Sequence, residues 1–199
     1  MNIISLANLK GGSSKSSSVF SFSTGFSKAS DGHPNGRRVL VVDVDPQGSQ
    51  GASFINATTT DALPKGNTVA TLFDANVPPT RIDNLIRPTG IPGVDLLPSN
   101  ITLAEYNTNT PVDNSIISLA QFLAEAEVRT RYDVCLIDTP PSMQRCTMAA
   151  LASSEFIIIP VVCELPAILG ISHVLKTIDA VRNADSITSR SHEPLGITR

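Results

Sequence analysis

Short, continuously apolar segments alternate along the chain with longer segments in which apolar residues recur at helical spacing. The short segments are rich in Val, Ile and Leu without polar alternation, which is typical of parallel strands covered on both faces. They are Asn2–Ala7, Arg38–Val44, Asp133–Ile137 and Phe156–Val162. The helical segments are Ser16–Ala29, Asn114–Ala126 and Ile168–Val181. This alternation predicts an α/β fold, an open and mostly parallel twisted sheet with helices on both faces.

The segments between these elements are less regular. Turn-forming residues predict a turn at Asp31–Gly36, and small polar residues predict a loop at Asn56–Asn67. Pro88–Pro98 is expected to form a loop that leads into a short strand, Val94–Leu97. The last residues, Leu195–Arg199, resemble the start of another strand.

The first predicted helix is rich in serine, which lowers its intrinsic helix propensity. Its apolar residues must therefore supply the packing. The residues at helical spacing are Val19, Phe20, Phe22 and Phe26.

Composition narrows the class of protein. The chain has 199 residues, 41% of them hydrophobic and 17% charged, with a net charge of −3, which argues against disorder. No apolar run has the length of a membrane-spanning helix, and the N-terminus lacks the features of a signal peptide. The three cysteines, Cys135, Cys146 and Cys163, include no close pair, so neither a disulfide framework nor a zinc cage is expected. We therefore expect a cytoplasmic protein with one domain.

A glycine- and serine-rich segment follows the first strand and opens the first helix. It reads Lys10-Gly11-Gly12-Ser13-Ser14-Lys15-Ser16-Ser17. Such a loop can direct backbone N–H groups at phosphates, and the start of the helix favours an anion. Lys15 would reach the β- and γ-phosphates, and the Ser16 hydroxyl would bind Mg²⁺. The alternative is a flexible loop with two solvated lysines.

Three aspartates lie where apolar strands end. Asp43 and Asp45 are two residues apart and precede Pro46, and Asp138 ends a later strand. Asp138 is suited to holding Mg²⁺ through water, Asp43 to supporting the metal, and Asp45 to orienting an attacking water. A single such aspartate is more often a turn cap. Three motifs in this order, each at a strand end, favour a nucleotide hydrolase.

These motifs resemble those of a known family. The pattern Lys-Gly-Gly-x-x-Lys-Ser at residues 10–16 resembles the deviant Walker motif of the ParA/MinD superfamily of P-loop ATPases. Further segments resemble the ParA/Soj family of partition ATPases, in the same order and over nearly the whole chain. They are Thr71–Asp74, Pro92–Ile101 and Ile157–Val161.

The resemblance implies a cycle driven by ATP and Mg²⁺. ATP would bring two subunits face to face as a homodimer, and Lys10 of each subunit would contact the nucleotide of the other. Lys10, Lys15 and Asp45 would be the catalytic residues, and residues 10–17 would bind the nucleotide. The dimer would bind DNA nonspecifically and associate with the nucleoid, and a ParB-like partner would stimulate hydrolysis. The cycle would partition a plasmid or chromosome, with no membrane involved.

Two departures from the family pattern leave alternatives open. Most relatives have Val-Gly at the position of Ser13-Ser14. If the backbone at Ser14 needs a positive φ, serine adopts it at a cost of about 1 kcal/mol, and turnover would be slower. In addition, we expect the predicted domain, residues 1–199, to be without the C-terminal strand and helix units that are usual in the family. These departures favour one alternative, a nucleotide-binding switch with negligible turnover. Another alternative, an ATPase that positions a protein cargo or organelle, stays open because the cargo is recognised by the partner protein.

Overall fold

The computed structural model describes residues 1–30, 32–74, 82–107, 115–162, 164 and 171–181. The predicted strand at Leu195–Arg199 lies outside these residues, as do Asp31 and the first residues of two predicted helices.

The described residues form one sheet of six strands. The strands are β1 (Asn2–Leu6), β2 (Val39–Asp43), β3 (Arg87–Pro88), β4 (Val94–Leu97), β5 (Val134–Asp138) and β6 (Phe156–Ile158). Their order is β3-β4-β2-β5-β1-β6, and every neighbouring pair is parallel except β3 with β4. This confirms the predicted mostly parallel α/β fold.

Helices connect the strands. The α-helices are α1 (Lys15–Phe26), α2 (Ser49–Phe54), α3 (Ala57–Asp61), α4 (Ile82–Leu85), α5 (Ser115–Ala124), α6 (Ala126–Arg131), α7 (Arg145–Ser153) and α8 (171–181). Short 3₁₀ helices span Lys65–Asn67, Val69–Phe73 and Ile101–Glu105. Among the described residues, no helix combines the length and the apolar character that crossing a bilayer requires.

The central strands are apolar on both faces because both faces are covered. Successive residues of β2 and β5 enter two different cores. Leu40 and Ile137 pack in a core with α5 and α7, whereas Val41 and Leu136 pack in a core with Val19 of α1. The continuous apolar runs in the sequence follow from this two-sided burial.

Several predicted bounds were wrong. The region 56–67, expected to be a loop, contains α3, where the Asn56 side chain accepts hydrogen bonds from Thr58 N and Thr59 N and caps the helix. β6 ends at Ile158 rather than Val162, and in the described residues it pairs only with β1. In α1, Phe20 packs against Phe54 with ring centroids 4.9 Å apart, but Phe22 is exposed rather than buried.

Candidate functional site

The predicted site residues meet at the carboxyl edge of the sheet. Register places Leu6 of β1 beside Asp138 of β5, and Asp138 beside Asp43 of β2. The glycine-rich loop that leaves β1 therefore begins next to Asp138, and Asp43 lies one strand further along the sheet. In open α/β sheets, ligands bind at this edge, so the sheet itself assembles the site.

The loop before α1 contains two left-handed residues. Gly12 has a φ of 72° and Ser14 a φ of 63°. Ser14 is the N-cap of α1, yet its side chain caps no backbone N–H, and the first turn of α1 contains no acidic residue. An N-terminus of this kind retains its attraction for an external anion.

The left-handed conformation of Ser14 predicts a stability difference. We expect Ser14→Gly to raise the free energy of unfolding by roughly 0.5–1 kcal/mol, because glycine adopts this φ without strain but adds entropy to the unfolded chain. Urea denaturation measures the change. Ser21→Gly, at an exposed interior position of α1, is the matched control and should lower stability by about 0.5 kcal/mol. An unchanged or lower stability for Ser14→Gly would contradict the strain at this position.

Lys15 lies beneath the loop. Its Nζ donates hydrogen bonds to the carbonyl oxygens of Asn8 (3.1 Å) and Lys10 (3.4 Å). Burial lowers the pKa of this ammonium group, whereas the nearby charges of Asp138 and Asp45 oppose that change. The charge of Lys15 is therefore held at the site by backbone carbonyls, groups that phosphate oxygens can replace.

The sequence analysis did not identify Asn8. This buried residue lies two positions before the loop. Its Oδ1 accepts a hydrogen bond from Lys10 N (3.0 Å), and its Nδ2 donates to Pro160 O (2.6 Å). Asn8 therefore ties the loop to the segment after β6. An asparagine two positions before a glycine-rich loop was the available signal, because its side chain often bonds to the backbone two residues later.

Lys10 points away from the buried part of the site. Its Nζ forms an ion pair with Glu164, and both side chains are partly exposed. Exposed pairs of this kind contribute little to stability, so Lys10 can exchange this partner at small cost.

Asp43 and Asp45 shape the turn that follows β2. Asp43 is fully buried, and its two oxygens accept hydrogen bonds from Asp45 N (3.0 Å) and Gln50 N (2.9 Å). Asp45 Oδ1 accepts one from Gln47 N (2.9 Å). Gly48 then adopts a φ of 63° where an added Cβ would lie 3.0 Å from Ser99 O. Because backbone N–H groups engage both Asp43 oxygens, this residue fits the predicted metal-supporting role less well than Asp138 does.

Asp138 lies at the centre of the site. Its Oδ2 accepts a hydrogen bond from Gln50 Nε2 (2.6 Å), and its buried Oδ1 has no partner. Burial raises the pKa of the Asp138 carboxyl, and hydrogen bonds from Gln50 and Ser16 oppose this change. Burial together with the Asp138 charge raises the pKa of Asp43 well above its usual range.

Buried polar atoms without partners surround the loop and Asp138. They are Ser13 Oγ, Gln50 Oε1 and Asp138 Oδ1. Within the described ranges, no three His, Cys, Asp or Glu side chains are arranged to hold a metal ion by themselves. The available oxygens therefore fit a hard cation that takes further oxygens from phosphate and water, as Mg²⁺ does.

A family comparison identifies this arrangement. A family model described as an AAA domain matches residues 1–190. The sporulation initiation inhibitor protein Soj of Bacillus subtilis is 32% identical over 181 residues, which cover 90% of this chain and 66% of Soj. The chain belongs to the ParA/MinD family of P-loop ATPases.

Solved structures of proteins similar to this ParA/MinD family member have the same fold. A plasmid partition protein from Borrelia burgdorferi superimposes with a TM-score of 0.75 and 26% identity, over 91% of this chain and 74% of that one. A Mycobacterium smegmatis structure, described as cobyrinic acid a,c-diamide synthase with bound ADP and magnesium, gives a TM-score of 0.74 and 29% identity, over 92% of this chain and 69% of that one.

The match with this ParA/MinD family member covers only part of the length of its curated relatives. The chain spans 66% of the length of Soj and 59% of the chromosome partitioning protein ParA of Myxococcus xanthus.

A cleft of 320 Å³ opens beside Asp45 in this ParA/MinD family member. It is lined by the turn after β2, the 3₁₀ helix at Ile101–Glu105 and the segment after β5. The residues are Asp45, Pro46, Gln47, Ile101, Ala104, Asn107, Pro140, Pro141 and Gln144. Asp45 is thus the carboxylate of the site that borders an open cleft.

Proposed function

We propose that the chain is a Mg²⁺-dependent ATPase of the ParA type. In this proposal it forms an ATP-dependent sandwich dimer that binds DNA nonspecifically and, with a ParB-like stimulating partner, drives plasmid or chromosome partitioning. One observation carries the proposal: Lys15 and Asp138 lie together at the N-terminus of α1, which no side chain caps. Lys10 lies nearby with a partly exposed side chain. The relatives named Soj, ParA and plasmid partition protein support the role in partitioning.

Nucleotide binding is assigned to the loop at residues 10–17. Its backbone N–H groups and the start of α1 would receive the phosphates, and the unpartnered Ser13 Oγ would donate to one of them. The Lys15 ammonium would exchange its two carbonyl partners for phosphate oxygens. This exchange is favourable because hydrogen bonds between charged groups are stronger than those to neutral carbonyls.

Mg²⁺ binding is assigned to Ser16 and Asp138, and Asp43 is assigned a supporting role. When bound, the ion would neutralise charge on the phosphates. Ser16 would offer its hydroxyl to the ion, and Asp138 would hold the ion through water that its unpartnered Oδ1 binds. Asp43 would hold the turn after β2 in place through its two backbone hydrogen bonds. The ADP and magnesium in the similar M. smegmatis structure support this assignment.

Hydrolysis is assigned to Asp45 and Lys10. Asp45 lies at the cleft, where its carboxylate would orient a water molecule towards the terminal phosphate. Lys10 would leave Glu164 and contact the phosphates bound by the partner subunit. The alternative function, a nucleotide-binding switch with negligible turnover, is favoured by one observation, the strained φ of Ser14 in the loop.

Light scattering tests the proposed cycle. The mass is measured without nucleotide, with ADP, and with a slowly hydrolysed ATP analogue plus Mg²⁺. We expect a monomer that becomes a dimer only with the analogue, and a dimer that then binds a DNA fragment of arbitrary sequence. Lys10→Ala should bind the analogue but fail to form the dimer, because its ammonium group no longer reaches the second nucleotide.

The matched control is Lys28→Ala, at an exposed position beyond the end of α1, which should dimerise like the parent. If the molecular mass is the same without nucleotide, with ADP and with the ATP analogue, the proposed dimer cycle is overturned. If the dimer forms but phosphate release stays negligible with DNA and partner, the alternative switch function replaces the ATPase.

A further inference from the structure

Gln50 is a buried polar residue to which the functional assignments above give no role. It is the second residue of α2 and has no exposed surface. A fully buried glutamine is uncommon because its amide must find partners inside the protein. The position of Gln50 among the site residues suggests why it is buried.

The residue connects three elements of the site. Its backbone N–H donates to Asp43 Oδ2 of β2 (2.9 Å), and its Nε2 donates both to Ser16 O in α1 (3.0 Å) and to Asp138 Oδ2 of β5 (2.6 Å). Both acceptors of Nε2 are oxygens without hydrogen, so the orientation of the amide follows from its partners. The opposite orientation would place Oε1 against a carboxylate and a carbonyl.

The carbonyl oxygen of the Gln50 amide has no hydrogen-bond donor among the described residues. Gln50 Oε1 is buried without a hydrogen-bond partner, and so is Asp138 Oδ1. Oε1 shares a carbon atom with Nε2, which places it about 2.2 Å from the nitrogen that donates to Ser16 O and Asp138 Oδ2. An unpaired buried acceptor is costly unless a donor reaches it, and the two acceptors here belong to side chains that are hydrogen-bonded to each other.

We propose that Gln50 is a positioning residue for a hydrated Mg²⁺ ion, in which Nε2 fixes the Asp138 carboxylate and Oε1 accepts a hydrogen bond from a metal-bound water. This inference rests on the proposed function, because it requires nucleotide and Mg²⁺ at the loop. Asp138 Oδ1 accepts a second hydrogen bond from the metal-bound waters. Residues that orient metal ligands or bound water in this way commonly change metal affinity roughly ten- to a hundredfold.

Metal binding tests the role separately from turnover. Mn²⁺ is titrated into the protein with ADP, and electron paramagnetic resonance reports the free ion. ADP affinity is also measured in EDTA with a fluorescent ADP analogue. We expect Gln50→Leu to weaken Mn²⁺ binding roughly ten- to a hundredfold, while ADP binding in EDTA stays within about threefold of the parent because the loop contacts are retained. Gln121→Leu, the same change on the exposed face of α5, is the control and should match the parent.

A second variant separates metal positioning from packing. Gln50→Met keeps the length and approximate volume of the side chain but has neither the N–H donor nor the carbonyl acceptor of the amide. If the amide positions the hydrated metal, this variant loses Mn²⁺ affinity as Gln50→Leu does, while it binds ADP in EDTA like the parent. A residue that only fills space in the core would keep Mn²⁺ affinity close to that of the parent in Gln50→Met. Circular dichroism checks that each variant is folded, and Gln50→Met alone decides the outcome if Gln50→Leu unfolds.

The outcomes separate the two proposals. If the parent binds no ADP with or without metal, the proposed function fails, and the role of Gln50 fails with it. If the parent binds Mn²⁺ with ADP and Gln50→Leu does so equally well, only the role of Gln50 is overturned. The same conclusion follows if folded Gln50→Met binds Mn²⁺ as tightly as the parent, or if folded Gln50→Leu loses ADP binding in EDTA.

Discussion

Lys15→Ala is expected to abolish nucleotide binding at concentrations that saturate the parent protein. In the proposed complex the Lys15 ammonium donates to phosphate oxygens in place of the carbonyls of Asn8 and Lys10. Two charge-assisted hydrogen bonds at about 1.5–3 kcal/mol each correspond to an affinity loss of at least roughly a hundredfold. Equilibrium binding of a fluorescent ADP analogue measures the loss.

Lys28→Ala is the control for this measurement, because it removes the same charge from an exposed position outside the site. It should bind the analogue like the parent. Nucleotide binding within about threefold of the parent by a folded Lys15→Ala protein would contradict the assignment of Lys15 to the phosphates, because that assignment requires the loss of charge-assisted bonds.

Asp45→Ala is expected to give an ATP-bound dimer that does not turn over. The Asp45 carboxylate borders the cleft and makes no hydrogen bond to the loop at residues 10–17 among the contacts described, so binding should survive its removal. The loss of a residue that orients water or accepts a proton lowers the rate by a factor of about 10²–10⁴. Phosphate release measures turnover, and light scattering with ATP measures the dimer.

Two further variants complete that test. Asp45→Asn removes the negative charge but retains an oxygen that can accept the hydrogen bond from Gln47 N. It therefore distinguishes the effect of losing the charge from the effect of losing the hydrogen bond that holds the turn. Asp61→Ala removes an exposed carboxylate at the end of α3 and should hydrolyse ATP at the parent rate. Turnover at the parent rate in Asp45→Ala would show that another group orients the water.

The central part of the fold could be predicted because two-sided burial leaves a simple pattern in the sequence. β2 and β5 are buried on both faces, and their continuous apolar runs indicate this directly. α3 could not be predicted, since its Thr-rich sequence has low helix propensity and its cap, Asn56, is also typical of a turn. The predicted length of β6 was wrong because apolar residues continue beyond Ile158 without strand pairing in the described residues.

The part of the candidate site that could be predicted is the part formed by sequence motifs. Asp43 and Asp138 end strands that the apolar runs predict, and the loop at residues 10–17 follows another such strand. Parallel pairing brings these strand ends to one edge of the sheet. Gln50 and the contact between Asn8 and Pro160 were missed because they depend on tertiary contacts between residues distant in sequence, whereas the bond from Lys10 N to Asn8 is local. Nothing in a local pattern distinguishes a buried glutamine in a short helix from a solvated one.

The strand order has a consequence for how the chain folds during synthesis. β1 pairs with β5 and β6, and residues 7–133 separate it from β5. At translation rates of about 5–20 residues per second, β1 waits roughly 6–25 s for its first partner strand. The loop that follows β1 is thus synthesised early in translation. It can pack beside the Asp138 carboxylate only after Asp138 has left the ribosome. A nascent chain that stops before β5 therefore exposes an unpaired apolar strand, which makes ribosome-bound fragments of this protein targets for chaperones.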